Sequence, residues 1–395
     1  MRKTRGMVLL MCAAVVGACS TDNAQSSQPV SPASSVGSET ATPASASAAS
    51  PAQPLQTKPA ADCGSQFLAS LNERQKLAQL LTVGVTGTAD ATQVVANDQV
   101  GGIFIGGWTD QGLLGQQLAQ VKGASKVPLM VTIDEEGGRV SRVADLIGPE
   151  PSARQMAATV SVDEAYQRSL ARGKALKGLG ITVNFAPDAD VSDEPDDAVI
   201  GDRSFSNDPA VVTKYADAYI RGMHDAGIQA VIKHFPGHGH GSGDSHKGSV
   251  TTPPLTQLMA DDLVPFRNLV NSGAGVMVGH LDVPGLTTPN VPASISPQAM
   301  TLLRTGIGYG AAPFNGPIFT DDLSGMAAIT ERLGVPQAVE AAIEAGADVA
   351  LWITTDAVPQ VLDQLQQAVA SGRLSQQRVD DAVLHSARFK GAVTC

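Results

Sequence analysis

Eight short apolar segments recur at a steady spacing, and this repeat constrains the fold more than any other feature of the chain. Each segment is followed by a loop rich in Gly, Pro and Asp, and then by a helix-like stretch. The segments are continuously apolar rather than alternating, which is typical of parallel strands that are buried on both faces. We predict strands at Leu81–Val85, Gly102–Ile105, Leu129–Ile133, Thr182–Phe185, Ala230–Ile232, Val276–Val278, Ile318–Phe319 and Val349–Ile353.

The segments between these strands have helical periodicity, for example at Asp163–Lys177, Ala210–Ala226, Gln257–Asn271 and Pro359–Ala370. Eight βα units in a domain of this length predict an α/β protein with a single (β/α)8 TIM-type barrel. An open, doubly wound Rossmann-type sheet is the alternative. It is disfavoured because no G-x-G-x-x-G motif follows the first strand.

The N-terminal region has the pattern of a targeting segment and not of a folded domain. Residues 1–18 combine Arg2, Lys3 and Arg5 with a short apolar stretch, and small residues precede Cys19, as in a bacterial lipobox. We therefore expect cleavage before Cys19, diacylation of its thiol and anchoring to the outer face of the cell membrane. An ordinary secretory signal is the alternative. Residues 19–61 are rich in Ala, Ser and Pro and predict a disordered tether, whereas residues 62–395 predict the barrel.

The charge of the chain argues against a nucleic-acid partner, and its few cysteines limit the disulfide bonds that it can form. The chain has 27 Lys and Arg against 38 Asp and Glu, so it lacks the basic surface that a nucleic-acid partner requires. Besides Cys19, and Cys12 in the predicted signal peptide, only Cys63 and Cys395 remain, near the two ends of the barrel domain. A closed barrel brings its first and last units together, so a disulfide between Cys63 and Cys395 is plausible outside the cytoplasm.

Ionisable residues follow five of the predicted strands, where a barrel carries its active site. In chain order they are Asp134, Asp188 with Asp190, Lys233 with His234, His280, and Asp321 with Asp322. One Asp after a strand is usually a helix cap or a turn residue. Five strand ends with ionisable groups predict a functional site at this rim.

The segment from Lys233 to His246 contains four of the seven histidines and has three interpretations. A metal site would use His234, His238 and His240 with Asp244 or His246. The histidines could instead be solvated loop residues. In the third interpretation, Asp244 and His246 form an acid/base pair in which the carboxylate accepts a hydrogen bond from one imidazole nitrogen.

The segment around Asp321 predicts a carboxylate that points toward the barrel axis. Such a group could attack an electrophilic carbon, while the neighbouring Asp322 has a structural role. The alternative is that one of the two caps the following helix.

The segment Asp134–Arg142 surrounds a Gly-Gly turn with charged residues. Asp134 could accept hydrogen bonds from vicinal hydroxyls. Alternatively, the segment is a local salt-bridge network in which Arg139 or Arg142 neutralises the glutamates that follow Asp134.

Four motifs between about Leu77 and Trp352 together resemble the single-domain β-N-acetylglucosaminidases of glycoside hydrolase family 3. They are Lys-His-Phe-Pro-Gly-His-Gly…Asp-Ser-His, Asp-Glu-Glu-Gly-Gly-Arg, Gly-Asp-Arg-Ser-Phe and Thr-Asp-Asp-Leu-Ser. The lipobox with its tether looks like the actinobacterial lipoproteins of this group.

The resemblance implies a role for each matching position. Asp321 matches the nucleophile, His246 the acid/base and Asp244 its partner. The residues matching those that bind terminal N-acetylglucosamine (GlcNAc) are Asp134, Arg142, Arg203, Lys233 and His234. The implied activity is retaining exo-cleavage of GlcNAc from peptidoglycan fragments, without a metal or other cofactor. Transfer to phosphate is a secondary possibility, because a neutral imidazole does not repel an anionic acceptor.

Two departures and two rival functions accompany this interpretation. Gly325 separates Ser324 from Met326, and Asp188 occupies a position that is often apolar in the family. A metal-dependent amidohydrolase would use the histidine-rich loop. A non-catalytic sugar-binding lipoprotein would have the same anchor and tether.

Overall fold

The computed structural model describes residues 62–394. The predicted signal peptide, Cys19, the tether and Cys395 lie outside the described residues. The strands are β1 (Leu81–Gly84), β2 (Gly102–Ile105), β3 (Met130–Ile133), β4 (Val183–Asn184), β5 (Gln229–Phe235), β6 (Val250–Thr251), β7 (Gly275–Val278), β8 (Leu281–Asp282), β9 (Ile318–Asp322) and β10 (Val349–Trp352).

Eight of these strands form a closed parallel barrel in the order β1-β10-β9-β7-β5-β4-β3-β2. The barrel closes where β1 pairs with β10, with Leu81 opposite Ala350. Each of the eight predicted apolar segments overlaps one barrel strand, and the predicted TIM-type fold is confirmed. The short strands β6 and β8 pair separately, beside the rim that carries the candidate site.

The helices cover the outside of the barrel. They are α1 (Asp62–Ala69), α2 (Glu73–Ala78), α3 (Thr88–Asp98), α4 (Gln116–Gly123), α5 (Ala144–Ile147), α6 (Ala153–Thr159), α7 (Val162–Gly178), α8 (Pro209–Ala226), α9 (Leu255–Leu258), α10 (Leu263–Leu269), α11 (Pro297–Thr305), α12 (Ala327–Thr330), α13 (Val335–Ala345), α14 (Val358–Ala370) and α15 (Gln376–Phe389). Three short 3₁₀ helices lie at Gln111–Leu113, Gly201–Arg203 and Ala293–Ile295.

Local sequence explains where the long helices begin and end. Ser161 caps α7, and Asp208 caps α8, which has Pro209 at its first turn and ends at Gly227 in the left-handed conformation. The single helix predicted over Gln257–Asn271 is wrong, because the chain forms α9 and α10 with a turn between them.

Large apolar side chains fill the interior of the barrel. Phe185 packs edge-on against Phe319, with 5.4 Å between ring centroids, and Phe319 in turn packs against Phe389 from the C-terminal helix. A second, larger apolar layer lies between the strands and the helices. This packed interior gives the residues at the strand ends a rigid support.

Helices α1 and α15 contact each other on the outside of the barrel. Gly64 lies against Leu384 and Arg388, and Cys63 is disulfide-bonded. Within residues 62–394, every helix is too short or too polar to cross a bilayer.

Candidate active site

A pocket of about 330 Å³ opens at the carboxyl ends of the barrel strands. Seven of the residues predicted for the site line it, namely Asp134, Arg142, Arg203, Lys233, His234, His246 and Asp321. Asp322 lines it too, whereas His280, also predicted at a strand end, lies behind the pocket wall. His280 binds the Asp322 carbonyl through Nε2 and the Ser294 hydroxyl through Nδ1, and it supports the pocket from outside.

Asp321 lies near the end of β9 and accepts a hydrogen bond of 2.9 Å from the backbone N–H of Asp322. Burial opposes ionisation of Asp321, but the imidazoles of His234 and His280, this N–H group and the Lys233 ammonium outweigh it and lower its pKa. A buried carboxylate that stays ionised can act as a nucleophile.

Asp322 has a separate, structural role. Its carboxylate accepts hydrogen bonds from the backbone N–H groups of Ser324 and Gly325 and from the Ser324 hydroxyl. Burial raises the pKa of Asp322, in contrast to Asp321. The two neighbouring aspartates therefore differ in environment, and the turn that Asp322 holds is the one that contains the extra Gly325.

Asp244 and His246 form the pair that the sequence predicted. His246 Nδ1 lies 2.9 Å from Asp244 Oδ1, and the same oxygen accepts the backbone N–H of His246 at 3.0 Å. Partial burial opposes ionisation of Asp244, but these contacts prevail and lower its pKa. The His246 side chain is 66% exposed, so the rest of the imidazole is available to a ligand.

The loop that carries this pair is attached to the segment that follows β9, the strand on which Asp321 lies. The carbonyl of the buried Ser245 accepts a hydrogen bond of 3.1 Å from the backbone N–H of Ala328, at the start of α12. Ser242 and Thr251 join the two ends of the loop through hydrogen bonds of 2.9 Å. The His246 loop thus contacts α12, the helix that follows the strand carrying Asp321.

Alternating charges line another part of the pocket. Lys233 Nζ lies 2.8 Å from Asp134 Oδ1 and 2.6 Å from Glu136 Oε1. Arg203 makes two hydrogen bonds of 2.9 Å to the Glu136 carboxylate. Burial lowers the pKa of Lys233, but Asp134 and Glu136 outweigh it and raise the pKa, so the ammonium stays charged. Fixed charges of both signs can bind sugar hydroxyl and amide groups.

Asp190 fixes the orientation of His234. Its carboxylate lies 2.7 Å from His234 Nδ1 and accepts the backbone N–H groups of His234 and His238. Burial lowers the pKa of His234 to about 4, so the ring is neutral at pH 7. Since Nδ1–H donates to Asp190, Nε2 carries the lone pair, and it faces Arg203 at 3.4 Å. Burial and the Asp190 charge raise the pKa of Asp188.

The glutamate partners in the Asp134–Arg142 segment differ from the predicted ones. Arg172 binds the fully buried Glu135 carboxylate, which also accepts the backbone N–H of Arg142 at 2.7 Å. Arg139 pairs with Asp202 at 2.8 Å. The salt-bridge network exists, but the arginines that neutralise the two glutamates, Arg172 and Arg203, come from other parts of the chain. Within the segment, Arg142 lies 3.7 Å from Asp134.

The metal site considered for the histidine-rich loop does not assemble as predicted. His240 binds Asp262, and His246 binds Asp244, so the four histidines do not converge. Two other groups could place three ligand atoms within 4.8 Å of one another: Asp188 with Asp190 and His234, and His240 with Asp261 and Asp262. In each group a histidine nitrogen already forms a hydrogen bond with a carboxylate.

Sequence reasoning placed Asp190 at the rim and gave Glu135 and Glu136 a salt-bridge role, but it missed their partners, which are His234 for Asp190, Arg172 for Glu135 and Arg203 for Glu136. The signals of these three acidic residues were present but weak, because each lies within a few positions of a predicted strand end. Such residues are usually turn or cap residues, and the pattern alone does not identify their partners.

Comparisons with known proteins identify the family of the chain and agree with the fold. The family model described as the glycosyl hydrolase family 3 N terminal domain matches residues 73–389. Beta-hexosaminidase LpqI of Mycobacterium tuberculosis is 57% identical over 326 residues, which cover 82% of this chain and 84% of that protein.

Solved structures give the same result. The crystal structure of a glycosyl hydrolase of the GH3 family from Mycobacterium smegmatis aligns with a TM-score of 0.81 and 57% identity, covering 83% of this chain and 99% of that one. A family 3 β-N-acetylglucosaminidase from Paenibacillus sp. aligns with a TM-score of 0.75 and 32% identity. The alignment covers 82% of this chain and 63% of that one.

Proposed function

This chain belongs to glycosyl hydrolase family 3 and is a glycoside hydrolase, and from that premise we propose that it is a retaining exo-β-N-acetylglucosaminidase. The observation that carries the proposal is the placement of Asp321 and His246 in one pocket, with Asp244 beside His246. The names of the relatives, a beta-hexosaminidase and a β-N-acetylglucosaminidase, support the sugar that is removed.

In the proposed first step, a carboxylate oxygen of Asp321 attacks the anomeric carbon of terminal GlcNAc. The bond between that carbon and the glycosidic oxygen breaks, and protonated His246 gives its Nε2 proton to the leaving oxygen. Asp244 stabilises the imidazolium before this transfer, because its carboxylate accepts a hydrogen bond from Nδ1–H. The product of this step is a glycosyl ester on Asp321.

In the second step, His246 takes a proton from water, and the water oxygen attacks the anomeric carbon. The ester bond breaks, Asp321 regains its charge, and GlcNAc leaves with the β configuration that it had in the substrate. The low pKa of Asp321 suits both its attack as an anion and its departure as a carboxylate.

The substrate class that we propose is peptidoglycan fragments in which GlcNAc is linked to N-acetylmuramic acid. The proposed location supports it, because a lipid anchor at Cys19 would hold the barrel at the outer face of the cell membrane. Cys19→Ser should shift the protein from the membrane fraction to the medium. Unchanged fractionation would exclude the anchor, but it would not contradict the proposed glycosidase activity.

The experiment that tests the activity uses p-nitrophenyl N-acetyl-β-glucosaminide with the wild-type protein, Asp321→Ala and His246→Ala. We expect Asp321→Ala to abolish turnover and His246→Ala to lower kcat by about 10²–10⁴-fold. Asp217→Ala, which changes an exposed carboxylate on α8, is the control and should retain activity. Full activity of Asp321→Ala with an intact circular dichroism spectrum would refute the nucleophile assignment.

Two further readouts separate this proposal from its rivals. Addition of EDTA should leave the rate unchanged, whereas a metal-dependent hydrolase would lose activity. Proton NMR should detect β-GlcNAc as the first product of hydrolysis, and α-GlcNAc would exclude the retaining mechanism. In phosphate buffer, the same spectra would detect a GlcNAc phosphate if phosphate competes with water.

A further inference from the structure

Trp108 is a large aromatic residue that remains exposed at the mouth of the pocket. It lines the pocket, yet 47% of its surface is accessible to solvent. Exposing an indole ring forgoes a large part of the hydrophobic stabilisation that burial would provide. A ring in such a place is therefore a candidate contact for a ligand.

A tight turn after β2 holds Trp108 in place. The backbone N–H of Thr109 donates to the Gly106 carbonyl at 3.1 Å, which closes the turn around Trp108. The buried Thr109 hydroxyl donates to the Val85 carbonyl at 2.7 Å and accepts the Gly106 N–H at 3.0 Å. The turn is thus fastened to the end of β1, and the indole is presented by rigid backbone.

The indole lies face-on over Gly106. A Cβ atom added to Gly106 would lie 2.4–2.5 Å from three carbons of the six-membered ring of Trp108. Nearly equal distances to three neighbouring ring atoms place that point over the ring face, because an approach to the ring edge would make them unequal. Phe104 flanks the indole at 53°, with 5.9 Å between centroids. The other face of the indole is therefore the one open to solvent.

The size of the pocket indicates what would cover that face. A volume of about 330 Å³ is at the small end of ligand pockets, which suits a single sugar ring. The polar groups that would bind this ring, such as the Lys233 ammonium and the His234 imidazole, are buried. A second ring, on the other side of the scissile bond, must then lie at the rim, where Trp108 is exposed.

We propose that Trp108 is a stacking platform for the sugar ring of the leaving group, which gives the enzyme a subsite for the second residue of its substrate. The apolar C–H face of a pyranose packs against the open face of the indole, while Gly106 supports the opposite face. The proposal rests on the proposed glycosidase function and specifies which leaving groups that site prefers.

The test compares two substrates with alkoxide leaving groups, N,N′-diacetylchitobiose and methyl N-acetyl-β-glucosaminide. Only the first has a second sugar ring. Trp108→Ala should lower kcat/KM for the disaccharide at least about tenfold more than for the methyl glycoside, since a ring contact of this kind is a typical binding hot spot. Trp108→Phe should retain most of the preference for the disaccharide.

Two control variants make the result specific. Gly106→Ala should reproduce the selective loss, because the added methyl group displaces the indole without touching the substrate. Ile307→Ala removes another exposed apolar side chain, one that does not line the catalytic pocket, and should change neither rate.

Equal losses for both substrates, or no loss with the disaccharide, would overturn the platform. Failure of the wild-type protein to cleave any N-acetyl-β-glucosaminide would instead refute the proposed function itself. Circular dichroism spectra of the variants confirm that they are folded.

Discussion

At the scale of single residues, Glu136 organises the cations of the pocket. It is the shared counter-ion of Arg203 and Lys233, and its pKa is held well below the usual range. Burial opposes its ionisation, but the charges of these two residues outweigh the burial. Glu136 thereby places two sugar-binding candidates at fixed positions, although it is not itself predicted to contact the reacting atoms.

Glu136→Gln tests this positioning role. The amide keeps the shape of the side chain but leaves two buried cations without their common anion. Removing one partner of a buried ion pair is strongly unfavourable in free energy, so the two cations should shift position. We expect kcat/KM for p-nitrophenyl N-acetyl-β-glucosaminide to fall about 10–100-fold, mainly through a higher KM.

The matched control is Asp217→Asn, which removes one charge from an exposed pair on α8 and should change kcat/KM less than twofold. A wild-type KM for Glu136→Gln would contradict the positioning role.

The convergence of strand ends in a barrel could predict that Asp134, Lys233 and Asp321 share one pocket. The roles of Asp321 and His246 came from the family resemblance and remain predictions. The sequence could not predict the partners of Glu136 and Glu135. Arg203 lies 67 residues after Glu136, and Arg172 lies 37 residues after Glu135. Which arginine reaches which glutamate depends on the path of the loops between them, and local patterns do not contain that path.

At the scale of elements, the strands were more predictable than the helices. A barrel strand is buried on both faces, so it appears as a continuous apolar run that ends at a polar residue. The break between α9 and α10 was missed because Leu258 and Leu263, which flank it, are both buried. Leu255, Met259 and Leu263 also recur at intervals of four residues, so the apolar pattern of a helix continues across the break. The turn between the two helices places Asp262 against His240.

The contact between His240 and Asp262 joins the loop that carries Asp244 and His246 to the start of α10. His240 Nδ1 lies 3.0 and 3.1 Å from the two carboxylate oxygens of Asp262. This hydrogen bond, with the charges of Asp262, Asp261 and Asp193, raises the pKa of His240 to about 9. The pair is therefore ionic at neutral pH.

Asp262→Asn should lower stability in a pH-dependent way. A histidine pKa raised by folding stabilises the protein fully below its unfolded value of about 6.5, and this contribution disappears as the pH rises to about 9. The variant should lose about 1 kcal/mol at pH 6, because the imidazole is partly exposed, and less above pH 9.

Differential scanning calorimetry at pH 6 and pH 9.5 measures the effect. A decrease in Tm of about 2 °C at pH 6 that becomes smaller at pH 9.5 is expected for a barrel of this size. An identical decrease at both pH values would show that the ion pair does not provide the stabilisation.

At the scale of the whole molecule, the ends of the barrel domain meet where the barrel closes. Strand β1 pairs with β10, and α1 packs against α15, which ends at Phe389. Cys63 on α1 is disulfide-bonded, and its partner lies outside the described residues. Cys12 and Cys19 belong to the predicted signal peptide and lipid anchor, so the candidate partner is Cys395, six residues beyond the end of α15.

The last prediction is that Cys63 and Cys395 form a disulfide that fastens the first helix to the last. Such a bond would close a loop containing nearly the whole barrel and should stabilise the folded barrel by about 3–5 kcal/mol, mainly by restricting the unfolded chain.

Peptide mapping of the unreduced mature protein should find the two cysteines in one cross-linked pair. Cys395→Ser and the double variant Cys63→Ser/Cys395→Ser should lower Tm by the same amount, because either change removes the same bond. Two titratable thiols in the unreduced protein would contradict the pairing, and an unchanged Tm in Cys395→Ser would show that barrel closure by β1 and β10 suffices to hold the termini together.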